Sequence, residues 1–459
     1  RQREMIARAV DNPVGDQPPL RDKLRALKRD KDNPSVVFAF DDVSVPLPPM
    51  QSPDLRQLIM EYCEQVCVEE GVTDIKFISS IALHRFLRPD EFKHVCGKKL
   101  FNKYYPQGRM FNYNAIDAEH SKHLGKTRHG EDVEVCKEFA ESDLAIYANV
   151  NYVPMDGGYK SYATGMVSYN SLRHNHDCDT LKKTKSLYDP KRSQLHKSFG
   201  RVGREMAKSI DIFHVETVVD ENLFPWYMSW LSVLMRRMNF VQKLVARVTV
   251  FALRFIPLWL RMRVFWAIRA PFGLLEVNAG ETEAVHERTL DACYKDKVLD
   301  VEGQAGILII APTALGPYTK DMYCNPLLVN TYALGYYYNM YVGGLPLLKE
   351  GGVAIVVNEM HYEWSEPAHT TYRELFEGVI AEHGDLDEFE RFQDGFATNE
   401  RLNDIYRAGK GPAGVHGFYM YTWAAHGMDS VSKVFCVGAK DRRGADVLKW
   451  ECKDSVVDA

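Results

Sequence analysis

Six short apolar runs rich in β-branched and aromatic residues, alternating with segments of helical period, constrain this chain more than any other feature. Residues 36–40, 75–81 and 144–150 are bounded by turn or polar residues, the pattern of strands buried on both faces of a parallel sheet. Segments 55–69 and 135–142 lie between them and repeat their apolar residues at helical spacing. A second set follows Gly280, with strand-like runs at 307–311, 353–357 and 434–438 and helix-like runs at 328–341 and 371–383. This alternation predicts an α/β fold of two layered domains with mostly parallel sheets. The cleft between them is expected at the strand C-terminal ends, where such folds bind ligands. The expected limits are 1–278 for the N-terminal domain and 279–440 for the C-terminal domain. Residues 441–459 form a C-terminal segment for which a return to the first domain is one option.

With 459 residues, 46% of them hydrophobic and 26% charged, the chain has enough apolar material for sizeable cores. A net charge of -5 gives no electrostatic ground for binding nucleic acid. The nine cysteines are scattered and odd in number; only Cys63 and Cys67 are close, at a spacing that puts them on one helical face. That usage suits a reduced, cytoplasmic protein rather than a disulfide framework or a zinc knuckle. No signal-type apolar stretch stands at the start, and a removed leader stays open.

Residues 222–275 break the alternation. They carry Arg236, Arg237, Lys243, Arg247, Arg254, Arg261, Arg263 and Arg269 without one acidic residue, interleaved with Trp226, Trp230, Phe240, Phe251, Phe255, Trp259, Phe265 and Trp266. No uninterrupted apolar stretch approaches the roughly 20 residues that a spanning helix needs. The segment reads as an amphipathic helical insertion. It either covers one domain or a homo-oligomer seam with its basic residues solvated, or lies peripherally on an anionic membrane.

The residues able to do chemistry fall in a few segments. Gly157-Gly158-Tyr159-Lys160 is a Gly-Gly turn that delivers a lysine, and His174-Asn175-His176 follows one segment later. Upstream are Phe40-Asp41-Asp42 at the end of a strand-like run, Ala82-Leu83-His84-Arg85, and the turn Leu124-Gly125-Lys126-Thr127-Arg128-His129-Gly130. Downstream are Ala279-Gly280-Glu281 with His286, Tyr318-Thr319-Lys320-Asp321, and Lys349-Glu350-Gly351-Gly352 ahead of the run 353–357. In this order and spacing they resemble the segments of the nickel-pincer-nucleotide-dependent lactate racemase family, over roughly residues 11–438.

The resemblance implies that the N-terminal domain binds a nickel-pincer nucleotide, of the pyridinium-3,5-bisthiocarboxylic acid mononucleotide type. Lys160 falls on the lysine that tethers this cofactor, with Gly157 and Gly158 as its loop. His176 falls on the imidazole that ligates nickel, with His174 as the alternative ligand two residues away. Gly125, Thr127 and Gly130 are expected to offer phosphate donors at a turn ahead of a polar helix starting near Glu131. Asp42 falls on a motif residue that orients cofactor or substrate. The implied reaction is inversion at C2 of a 2-hydroxy acid, in which hydride leaves C2 while a base takes the hydroxyl proton and no carbanion forms. An imidazole titrating near neutrality suits that base, and His84 stands at the family's acid/base position.

Three departures from the family pattern bear on the substrate. Val45 stands where the family has an arginine that holds the substrate carboxylate. The segment Asn151-Tyr152-Val153-Pro154-Met155-Asp156, ahead of the Gly-Gly turn, lacks the second catalytic histidine, and a Gln-x-x-Lys pair is lost near Asn325. A 2-hydroxy acid larger than lactate, polyhydroxylated or aromatic, fits these losses better, with Tyr152, Asp156, Trp364, His361 and His416 as candidate pocket residues. The expected activity is a racemase or 2-epimerase that depends on partner enzymes to make its cofactor. The alternatives are a one-way hydride-transfer oxidoreductase using the same cofactor, and a non-catalytic membrane-associated binding protein on the same fold.

Overall fold

A computed structural model of the chain describes residues 1–43, 48–313, 318, 321–384 and 386–459. Its strands are β1 (Val36–Asp41), β2 (Ile75–Ser80), β3 (Met110–Asn112), β4 (Ser121–Lys126), β5 (Asp132–Cys136) and β6 (Leu144–Asn151). They continue with β7 (Ile212–Val219), β8 (Leu274–Gly280), β9 (Ala305–Ile310), β10 (Leu348–Val357), β11 (Lys433–Val437) and β12 (Glu451–Lys453). One sheet runs β3-β2-β1-β6-β7-β8 and is parallel except for β8, which pairs antiparallel with β7. A second, parallel sheet runs β12-β11-β10-β9. The fold is thus α/β with mostly parallel sheets, as the alternation of runs predicts.

The central strands are buried even where they carry polar residues, Asn149 and Asn151 on β6 and His214, Glu216 and Thr217 on β7. β6 and β7 are buried at every residue, and β1 at all but its last. Phe38 and Phe77, register partners on β1 and β2, stack with ring centroids 4.7 Å apart. The helix Leu55–Glu69 starts at Asp54, whose carboxylate accepts the Arg56 N–H at 2.9 Å. It buries Leu55, Leu58, Ile59, Cys63, Val66 and Cys67, the spacing of one helical face. None of the nine cysteines, all of them described, forms a disulfide, and all but Cys452 are buried.

Several limits differ from the sequence reading. The run 135–142 is not one helix: Val135 and Cys136 pair with β4 at the end of β5, and only Lys137–Ala140 is helical. Glu131 likewise leads into a strand, so the turn ahead of it is the tip of the antiparallel β4–β5 hairpin and not a helix start. The change from one sheet to the other falls after Lys297 rather than at 278, because β8 runs to Gly280 and the helix Thr282–Lys297 packs on β7 and β8. Residues 441–459 stay with the second sheet, where β12 pairs with β11 and Cys452 sits opposite Cys436. Residues 222–275 form most of an excursion between β7 and β8 that contains the helices Phe240–Leu253 and Leu258–Ala267. Among the described residues no helix is long and apolar enough to cross a membrane.

Candidate active site

The carboxyl ends of β1, β2 and β6 lie side by side, as they must in a parallel sheet, and deliver the expected residues to one edge. Asp42 follows β1 directly. His84 follows β2 by four residues, and its Nδ1 lies 2.7 Å from Asp42 Oδ2. With a buried carboxylate facing Nδ1, the ring carries its proton there and presents Nε2 as an acceptor. Asp42 thus orients His84 through Oδ2. Arg56, itself buried, holds this corner by donating to the carbonyls of Asp41 (2.8 Å) and Asp42 while paired with Asp54. Burial pushes Asp41 up to about 6, against the Val150 N–H, the Arg56 charge and the Asn149 amide, which tie the ends of β1 and β6 together. Ala82 has a φ of 46°, a left-handed conformation unusual for a residue with a Cβ, and stands where the resembled family has glycine. Its carbonyl accepts the Tyr406 hydroxyl at 2.9 Å, which anchors the turn carrying His84.

The Gly-Gly turn is shaped by Glu216, a fully buried carboxylate on β7 that the sequence reading passed over. The Gly158 N–H donates to Glu216 Oε1 at 2.5 Å, Asn151 Nδ2 donates to Oε2 at 3.1 Å, and His286 Nδ1 lies 3.3 Å from Oε2. Burial raises the Glu216 pKa, but the charges and contacts of His286 and His214 outweigh it and hold the group at about 2. Gly157 and Gly158 have φ of +93° and +63°, and a Cβ on Gly158 would sit 2.6 Å from the His286 ring. The turn hands the chain to the helix Tyr159–Gly165, on which Lys160 lies 3.3 Å from Asp156. Asp156 also accepts the N–H groups of Tyr152 and Val153, so it shapes this loop and positions Lys160.

His176 is buried and its Nδ1 lies 2.5 Å from Asn175 Oδ1, which places the proton on Nδ1 and the lone pair on Nε2. Burial pushes its pKa down to about 3, offset in part by the Leu172 carbonyl and reinforced by the charges of His84 and Lys160. His174 instead points its Nε2 at Asp132 of the hairpin, 3.0 Å away. His416, at the start of the helix His416–Thr422 from the C-terminal half, brings its ring to 5.3 Å from that of His84. Its Nδ1 meets the Tyr372 hydroxyl at 3.0 Å, while its Nε2 is buried without a hydrogen-bond partner among the described residues. Burial, and then the charges of His84 and His176, hold His416 well below its ordinary pKa. Tyr318 packs against both rings, at 5.1 Å from His84 and 4.9 Å from His416.

Other expected residues lie apart from this cluster. Thr127 spends its hydroxyl on Glu131 and on the His129 and Glu131 N–H groups, and its own N–H goes to the Glu131 carbonyl. Glu131 is in turn clamped by Ser198 and Arg201. Gly125 and Gly130 shape the same hairpin at φ of +129° and +84°. The donors expected for a phosphate are largely consumed in the turn. Tyr152 packs on Phe272, and its hydroxyl is buried without a partner among the described residues. Trp364 packs on Tyr362 and Phe376, and His361 lies beside Glu359. Val45 lies outside the described residues, as do Thr319 and Lys320. A cavity of about 990 Å³ opens beside the cluster, lined by Val43, Arg56, Arg85 and Tyr318 and, farther out, by Trp266, Arg269, Ser365 and Lys410.

Residues 1–188 match the family described as the lactate racemase N-terminal domain. A lactate racemase from Lactiplantibacillus plantarum is 23% identical over 226 residues, which span 48% of this chain and only 49% of that relative. Among solved structures, the lactate racemase apoprotein from Thermoanaerobacterium thermosaccharolyticum superposes with a TM-score of 0.61 at 14% identity, covering 99% of this chain and 86% of that one. A protein from Thermotoga maritima gives 0.50 at 12% identity, covering 95% and 91%. Fold and N-terminal match together define an α/β protein on the lactate racemase scaffold. Residues 1–188 thus match the lactate racemase N-terminal domain, and the chain as a whole shares the fold of the solved lactate racemase apoprotein.

Proposed function

We propose that this chain is a nickel-pincer-nucleotide-dependent racemase or 2-epimerase of a 2-hydroxy acid larger than lactate, working in the reducing cytoplasm. The observation that carries the reading is the Asp42–His84 pair with the His416 ring 5.3 Å away, and buried His176 packed against the same helix His416–Thr422 through Tyr419 and Thr422. The donor set fits the cofactor. His176 is buried, neutral and oriented through Nδ1, leaving Nε2 as a ligand for nickel. Among the described residues no three His, Cys, Asp or Glu side chains converge as a metal site, so a metal beside His176 needs donors brought by an organic group. Lys160 and the Gly157–Gly158 turn would hold that group, which when bound supplies a hydride-accepting centre for the hydrogen on C2.

The chain's own residues handle the proton. His84 Nε2 takes it from the substrate hydroxyl, and Asp42 keeps the ring oriented and stabilises the imidazolium that results. His416 supplies the second imidazole needed when the opposite enantiomer reacts. Its unpartnered Nε2 and its ring 5.3 Å from His84 support that role. A one-way oxidoreductase needs no second base, and His416 as a candidate second base supports the racemase reading over it. In place of the family's arginine, Arg269 and Lys410 are the cavity's cations without a carboxylate partner among the described residues, suited to an acid that extends well beyond three carbons.

Protein produced together with the cofactor-making enzymes should carry stoichiometric nickel and a mass addition on Lys160. His176→Ala should lose the nickel while His174→Ala keeps it, and Lys160→Ala should lose the mass addition. Nickel retained by His176→Ala, as read by elemental analysis, contradicts the ligand assignment.

A further inference from the structure

The excursion between β7 and β8 goes beyond the proposed reaction. None of the helix Phe240–Leu253 is buried. Large apolar side chains stand in the open along the excursion, among them Trp226 (86% exposed), Phe240 (81%), Met235 (75%), Phe255 (73%) and Trp259 (63%). Soluble monomers rarely leave a continuous apolar surface of this extent uncovered. At about 100° per residue, Lys243, Arg247 and Arg254 fall within about 40° of one another, while Val241, Leu244, Val248, Phe251 and Phe255 form a separate face. The two helices have 14 and 10 residues, far too short for a hydrocarbon core about 30 Å thick.

We infer that residues 223–268 dock this protein in the plane of an anionic lipid bilayer, with the apolar face sunk at the headgroup boundary and the basic stripe on lipid phosphates. Charge decides the occupant. The segment holds seven cations and no acid in a chain of net charge -5, so the rest of the chain is more acidic than the whole and orients the segment toward a negative surface. A symmetric pairing of two copies would instead set these cations against one another with no acid in the segment to pair them. Trp266 and Arg269, at the end of the excursion, line the large cavity, so docking brings the cavity mouth to the bilayer surface.

The test is co-sedimentation of the purified full chain with vesicles of mixed phosphatidylglycerol and phosphatidylcholine, and with vesicles of phosphatidylcholine alone. Binding is expected on the anionic vesicles, with a blue shift of tryptophan fluorescence and a fall at high salt. Each basic residue near such a surface contributes about a fivefold gain in affinity, so Lys243→Glu, Arg247→Glu and Arg254→Glu together should weaken binding by a factor on the order of 10² or more. These side chains are exposed and their change should leave circular dichroism and melting intact. Phe251→Ser with Phe255→Ser should also release the protein. Equal, weak binding to both vesicles, or binding untouched by the triple reversal, overturns the inference. A dimer in sedimentation velocity that the phenylalanine changes dissociate, with no vesicle binding, overturns it in favour of a second copy.

Discussion

His84 depends on two neighbours of different kinds. Asp42 holds its ring by a 2.7 Å hydrogen bond, and Ala82 bends the backbone to aim it, at a φ of 46°. An L-residue in that region costs roughly 1–2 kcal/mol, which glycine does not incur. Ala82→Gly is therefore expected to raise the stability by up to about 1 kcal/mol after the extra freedom of the unfolded glycine is counted, read as a higher urea midpoint at unchanged slope. A drop of that size would mean that Ala82 is not strained. At this scale the sequence was legible where residues lie close along the chain, as with Gly157, Gly158 and Lys160. It was illegible where partners come from far away. His416, a pocket candidate from sequence by residue type and loop position alone, reaches His84 from the other half of the chain, and nothing in its segment announces that partner. Glu216, inside a run of apolar strand residues, could be recognised only by the N–H groups that converge on it.

Among the elements, the long buried strands and the helix Leu55–Glu69 follow from sequence because period and burial agree over many residues. The β4–β5 hairpin does not. Five residues of β5 offer too short a pattern to separate strand from helix, and the ladder to β4 decides the outcome. This matters for chemistry, since a helix start would present free N–H groups to a phosphate, whereas the hairpin tip uses most of its own. The Gly-Gly turn makes the opposite case, a loop whose conformation admits no side chain. Gly158, at φ 63° and ψ -152°, lies in a region nearly closed to other residues, and a Cβ there would strike His286. Gly158→Ala should cost about 2–3 kcal/mol by these two mechanisms and should reduce cofactor retention through displacement of Lys160. A variant that melts like the parent and keeps its mass addition would show that the turn is not the cradle described.

The molecule as a whole buries several histidines in neutral form. Burial comes first among the causes that push His196 down to about 3 and His214 and His369 down to about 4, from an ordinary 6.5. Below 6.5 the unfolded chain binds protons that the folded chain refuses, so stability is full above that pH and falls as pH drops through the window toward 3. The expected loss is several kcal/mol, beginning well above the range in which carboxylates titrate. A urea midpoint flat from pH 6.5 to 4.5 would contradict the neutral burial of these rings. The halves meet where the chemistry is placed, with Tyr406 bonded to Ala82 and His416 set against His84, so the site exists only in the assembled chain. The most direct measurement of the central claim uses nickel-loaded enzyme and single enantiomers of 2-hydroxy acids deuterated at C2, with the products resolved by chiral chromatography and mass spectrometry. The account predicts inversion of an acid larger than lactate with deuterium retained at C2, and a loss of turnover on the order of 10² or more in both His84→Ala and His416→Ala at unchanged nickel content. Washout of deuterium to solvent, preference for lactate over every larger acid, or full activity of His416→Ala would contradict it.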